Sequence, residues 1–295
     1  MKTSLTAGVA ALVLTTGALL AAPPANADDA SAGVPVMKIW VQGDQAMTSA
    51  ATITPGIIQF EVGDTFVVPG DNGGPDTLTV FSSDNPDLAE AQMPAIIAGN
   101  PGDPASLAAG AQAIRTLHGL TTIYGGGQKG TTWQVRLNPG TYYVFGPNSS
   151  ALHLAKRAQF TVEGTPHPGA LHSTSAVVQA RGPVGHNKWV TAGLGSIGDG
   201  WLRFSNRSRE LHFLNMSGVK PGTTPAMVRK ALASPENPTF FTNQAFDFDV
   251  ISPGVTVAIK GPIKEGEYLL ACFMPSEADG MPHAFMGMWK LVEVG

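Results

Sequence analysis

The 295-residue chain contains one cysteine, Cys272, close to its C-terminal end. His283 follows it, and then Met286 and Met288. A thiolate, an imidazole and a thioether near one loop are soft and borderline donors, the set that suits a copper ion moving one electron. Two other readings of Cys272 stay open: a buried apolar cysteine and a reactive thiol.

The N-terminus bears on that choice. Met1-Lys2 gives a short positive start, Leu5 to Ala22 is apolar, and Ala25-Asn26-Ala27 is an A-x-A cleavage site before Asp28-Asp29. This pattern predicts a signal peptide over 1–27, a mature start near Asp28 and a secreted, extracellular protein. A lone cysteine in an exported chain makes no internal disulfide, so its thiol calls for burial, modification or a metal. No later apolar run is long enough to span a membrane.

Composition narrows the class further. Apolar residues make up 43% and charged residues 14%, enough for a sizeable core. The 35 glycines and 23 prolines suit an all-β protein with many turns. A formal charge of −4 argues against nucleic acid as a partner.

Short alternating or apolar runs recur between turn residues. They predict strands at Val36–Val41, Ile57–Val62, Thr77–Phe81, Trp133–Leu137, Thr141–Phe145 and Gln159–Val162. Pro104–Leu117 reads as a helix, and Glu163–Gly169 as a Pro/Gly linker. The second half repeats the pattern, with strands at Ser175–Ala180, Gly200–Ser205, Glu210–Asn215, Val255–Lys260, Glu267–Phe273 and Met288–Val294. Its helix runs over Thr224–Ala233, capped by Thr223 or Thr224.

The halves read as an internal duplication. Asn138-Pro139-Gly140-Thr141-Tyr142-Tyr143-Val144 matches Lys264-Glu265-Gly266-Glu267-Tyr268-Leu269-Leu270, and Ile57–Phe60 matches Trp201–Phe204. That register sets Gly146 at the place of Cys272, Thr79 near His212 and His153 near His283.

Three stretches carry a resemblance: Phe204 to Phe213, which contains His212; Gly266 to Cys272, with Tyr268 before the cysteine; and Met281 to Met288, a His…Met-Gly turn. In these the chain resembles the cupredoxin, or blue copper, family. The resemblance implies two tandem cupredoxin-like Greek-key β-sandwiches, each with a short helical insert. Residues 34–163 would form a degenerate domain without the ligand set, and 170–295 a domain with the candidate copper site. It also implies copper as cofactor, held by His212, Cys272 and His283, with Met286 or Met288 as the axial thioether. The expected role is electron transfer or copper handling with a redox or copper-exchange protein partner. The alternative is a metal-free extracellular interaction or structural module. One departure stands out: ten residues, Phe273 to Pro282, separate the thiol from the imidazole. The loop must bulge out and return, with Asp279-Gly280 as the turn.

Other motifs carry little. Gly193–Gly198 matches G-x-G-x-x-G but precedes a strand, so no dinucleotide site is expected. Tyr124–Gly130 reads as a hairpin or loop tip, and His167, His172 and His186 as loop residues. Asp247 and Asp249 read as a solvated strand edge. No G-x-S-x-G elbow, H-E-x-x-H or His-x-His pair is present, so a non-enzymatic protein is expected.

Overall fold

A computed structural model describes residues 33–42, 45–63, 77–97, 101–147, 154–197, 200–234 and 238–295. The predicted signal peptide and His153 lie outside them. The first half supplies β1 (Val36–Gln42), β2 (Gln45–Thr48), β3 (Thr52–Ile53), β4 (Gly56–Val62) and β5 (Leu78–Ser83). Three helices follow: α1 (Pro86–Glu90), α2 (Met93–Ile97) and α3 (Pro104–Leu120). Then come β6 (Thr121–Gly127), β7 (Thr132–Leu137), β8 (Gly140–Pro147) and β9 (Leu154–Val162). The second half supplies β10 (Val177–Arg181), β11 (Lys188–Ala192), β12 (Trp201–Asn206), β13 (His212–Val219), α4 (Pro225–Leu232), β14 (Phe241–Ile251), β15 (Thr256–Lys260), β16 (Gly266–Ala271) and β17 (Trp289–Val294).

Strand alternation builds the layers. Burial along β13 switches residue by residue, so one face packs inward. Hydrogen-bonded neighbours form two ladders. One runs β2-β1-β4-β7-β15-β12-β10-β11. The other runs β9-β8-β5-β6-β14-β13-β16-β17. Each ladder reads the same from both ends once β3 is set aside. At the centre of each, a strand pairs antiparallel with its own counterpart: β7 with β15, and β6 with β14. The fold is all-β, a pair of sandwiches sharing both sheets.

The repeated frame extends to detail. The Tyr142 hydroxyl donates to the Asn138 carbonyl and that of Tyr268 to the Lys264 carbonyl, both at 2.8 Å. Both helical inserts fall between the same two strands, β5 and β6 in one half, β13 and β14 in the other. Asp103 caps α3 by accepting from Ala105 N, and Pro104 pre-sets its first turn. Thr224 caps α4 in the same way through Met227 N.

The core is aromatic at its centre. Trp133 stacks on Phe60 at 5.0 Å, and Phe248 stands edge-on to Trp133 at 5.8 Å and to Phe204 at 6.3 Å. Phe248 therefore joins the two halves.

The structure corrects three expectations. Gly125 to Gly127 are not a loop tip but the end of β6; Gly125 (φ +100°) leaves room for the Phe248 ring. The Asp247–Asp249 stretch is not an edge, because β14 is paired on both sides. Thr79 does not stand near the place of His212. It pairs with Phe145 as Asn215 pairs with Ala271, so it corresponds to Asn215.

Candidate metal centre

His212 opens β13, and the turn before it is built by side chains. Asn206 Nδ2 donates to the carbonyls of Glu210 (2.8 Å) and Ile251 (2.9 Å), which fixes its Oδ1 as the acceptor for Ser208 N (3.0 Å) and Ser208 Oγ (2.8 Å). His212 Nε2 lies 2.8 Å from Ser208 Oγ. A hydroxyl has one proton, and the Asn206 oxygen or the Glu210 carbonyl takes it. Ser208 therefore accepts from His212 Nε2–H, which leaves the lone pair on Nδ1. That Nδ1 faces Cys272 Sγ at 3.5 Å.

Cys272 follows β16, and the long loop behind it returns as a small hairpin. Its rungs are Ser276 N to Met281 O (3.0 Å), His283 N to Met274 O (3.0 Å) and Ala284 N to Cys272 O (2.6 Å), with Pro275 bridged to Pro282. Gly280, at φ +79°, makes the return turn, where a Cβ would meet the Leu107 carbonyl of α3. Arg115 donates to the Glu277 carbonyl, and His118 Nδ1 lies 2.6 Å from Glu277 Oε1. The first half thus seats the loop of the second. The hairpin brings His283 Nδ1 to 3.6 Å from Cys272 Sγ.

His212, Cys272 and His283 offer donor atoms that all lie within 4.8 Å of one another, and all three residues are buried. A metal with bonds of about 2.0 Å to nitrogen and about 2.3 Å to sulfur, opened at roughly 110–120°, sets nitrogen and sulfur about 3.5–3.7 Å apart. The two observed separations fall in that range. The donor set also fits copper chemically, being two imidazoles and one soft thiolate.

Of the two methionines, Met288 is buried in the same apolar cluster as Cys272. Its N–H donates to the His283 carbonyl (2.9 Å), and its carbonyl accepts from Cys272 N (3.3 Å). Met286 is half-buried, with its methyl facing Gly185.

The sequence reading missed Glu210, which is 0% exposed. Its Oε1 accepts from Ser276 Oγ (3.0 Å) and Glu277 N (2.7 Å), and its Oε2 from Gly185 N (2.8 Å) and Asn187 Nδ2 (2.5 Å). Oε1 also lies 3.4 Å from His283 Nε2, an ion-pair contact without aligned hydrogen-bond geometry. The available signal was Glu210-Leu211-His212, an acid two residues before a ligand candidate and therefore on the same side of an extended chain.

Charge follows from these contacts. Burial disfavours charged Glu210, but His283 and the Gly185 and Glu277 amides outweigh it and hold the carboxyl well below its usual range. Burial also opposes charge on His283, yet Cys272 and Glu210 raise it to about 9. Burial, then the neighbouring His283 charge, pushes His212 well below its ordinary value, so it is neutral.

The remaining candidates stay apart. His167 Nε2 lies 2.6 Å from the Ile57 carbonyl, His172 stacks on Trp201 at 4.3 Å, and His186 sits in the turn between β10 and β11. Asp247 and Asp249 are tied down: Asn215 Nδ2 donates to Asp247 at 2.6 Å, while Thr77, Thr79 and Val250 N donate to Asp249. Burial raises both carboxyls. Phe273 and Phe285, close in sequence to Cys272 and His283, are each 42% exposed and meet edge to face at 6.2 Å.

No protein-family model matches the chain, and no curated protein sequence does. Among solved structures, the chain is similar to auracyanin B at 16% identity, over 40% of this chain and 86% of that one, with a TM-score of 0.23. It is similar to auracyanin A, a "blue" copper protein from Chloroflexus aurantiacus, at 15% identity over 44% and 100%, with a TM-score of 0.25. It is similar to the copper nitrite reductase of Nitrosomonas europaea at 12% identity over 89% and 94%, with a TM-score of 0.21. At these TM-scores the likenesses carry no argument, and the fold rests on the strand order above. Among the described residues, no helix is long and apolar enough to cross a membrane.

Proposed function

We propose that this is an exported copper protein that holds one copper ion between His212, Cys272 and His283 and passes electrons or copper to a protein partner. The observation that carries the reading is the pair of sulfur–nitrogen separations, 3.5 and 3.6 Å, in a buried His–Cys–His cluster. Met288 is the better-placed thioether for a fourth contact, because it is buried with Cys272 and Met286 faces Gly185. A bound copper ion would supply a one-electron couple. The protein's part is to keep Nδ1 of both histidines facing the Cys272 sulfur, exclude water and hold the donors still. The burial of all three donors favours transfer over catalysis.

The test is Cu(II) titration of the purified protein and of Cys272→Ser. The expected result is one equivalent bound, with a visible thiolate-to-copper charge-transfer band that the substitution abolishes. Unchanged copper uptake by Cys272→Ser would overturn thiolate ligation. A folded wild-type protein that takes up no copper would favour the metal-free module.

A further inference from the structure

We propose that Glu210 is a positioning residue that sets the charge balance of this centre: a buried anion behind His283 that favours Cu(II) over Cu(I). The inference rests on the copper reading above. Glu210 belongs to the turn before His212, yet its carboxylate is gripped by two other segments. Gly185 N and Asn187 Nδ2 come from the β10–β11 turn, and Ser276 Oγ and Glu277 N from the ligand loop. Each oxygen has two donors, so the group stays where it is and stays ionised. Among the described residues, its one ion-pair partner is His283.

A buried carboxylate without a lysine or arginine is costly unless some other positive charge answers it. In the metal-free protein His283 answers it; with a copper ion on Nδ1 the imidazole would be neutral, and the answering charge would lie beyond it. Glu210 favours the proton on Nε2 of His283, which leaves Nδ1 facing Cys272 Sγ. The same negative charge acts on whatever cation the two Nδ1 atoms and the thiolate hold. Cu(II) carries one more positive charge than Cu(I), so a fixed, desolvated anion stabilises it more. The placement also explains the length of the ligand loop. Its extra residues include Ser276 and Glu277, which supply half of the carboxylate's donors.

The experiment measures Cu(II) affinity, Cu(I) affinity and reduction potential in wild type, Glu210→Gln and Glu210→Asp, with melting of the metal-free proteins as the check on folding. Glu210→Gln is expected to lose about 10–100-fold in Cu(II) affinity and less in Cu(I) affinity. A tenfold selective loss equals a rise of about 59 mV in a one-electron potential. Glu210→Asp keeps the charge and should recover most of the preference. Equal losses for both oxidation states, or an unmoved potential in Glu210→Gln, would overturn the inference while leaving the copper reading intact. If Glu210→Gln does not fold, Glu210→Asp and Asn187→Ala decide. Both keep the anion, so a potential displaced by the full amount in either would overturn the charge argument, and a potential near wild type supports it. Wild-type protein that binds no copper overturns both readings.

Discussion

The single proton of Ser208 decides which nitrogen of His212 keeps its lone pair. Ser208→Ala removes the acceptor for a buried Nε2–H, and an unsatisfied buried donor costs about 1–3 kcal/mol. The expected result is a lower melting temperature of the metal-free protein and weaker copper binding. Stability and affinity equal to wild type would remove Ser208 from the account. Asp249 makes a second residue-scale prediction. Burial raises its carboxyl, partly offset by its Thr79, Val250 and Thr77 donors. An acid raised on folding holds its proton more tightly folded than unfolded. Its favourable contribution is therefore full below the unfolded value of about 3.9 and is lost as pH rises through the folded value. Asp249→Asn has no such titration, so its stability relative to wild type should rise from acid to neutral pH. Melts at several pH values check this, and a margin moving the other way refutes it. At this scale the sequence was legible where a residue type is rare. One cysteine with a histidine and two methionines behind it could be read directly. Glu210 could not, because an acid in a turn looks the same whether solvated or caged. The match of Thr79 to His212 failed because position was counted by similarity, whereas strand pairing sets the true register.

The Phe273–Pro282 loop is the element on which the centre depends, and α3 is its support. Gly280 combines a left-handed backbone with close approach to the Leu107 carbonyl. Gly280→Ala therefore meets both strain, about 1–3 kcal/mol for such a backbone, and a collision with α3. The loop should lift, taking Ser276, Glu277 and His283 with it. Copper affinity is expected to fall at least tenfold while circular dichroism still reports a folded sheet protein; unchanged affinity would show that the contact with α3 is dispensable. Two of the four helices were legible, α3 from its alanine- and leucine-rich run and α4 from Thr224 as its cap; α1 and α2, five residues each, were not. Short β2 and β11 were not, since four or five residues carry too little alternation. The glycines of β6 misled because their requirement is tertiary: only Phe248, distant in sequence, explains Gly125.

Across the whole molecule, the two halves share both sheets, and Phe248 lies between Trp133 and Phe204. They should melt together. Calorimetry is expected to show one transition, and Phe248→Ala should destabilise the whole by about 3–5 kcal/mol. Two separated transitions in wild type would show that the halves are energetically independent. The repeat was legible from the matched tyrosine segments, although six strands per half were expected where eight pair; the seam was not, because no local pattern states which strand edges meet. That seam has a further consequence. Strands that pair antiparallel with their own counterparts make an isologous contact, the kind two identical subunits form about a two-fold axis. The chain is therefore laid out as a homodimer whose subunits have been joined end to end. Once joined, the copies no longer had to be alike. One could turn its insert, as α3, into a brace for the other's loop, an asymmetry that no dimer of identical chains can reach.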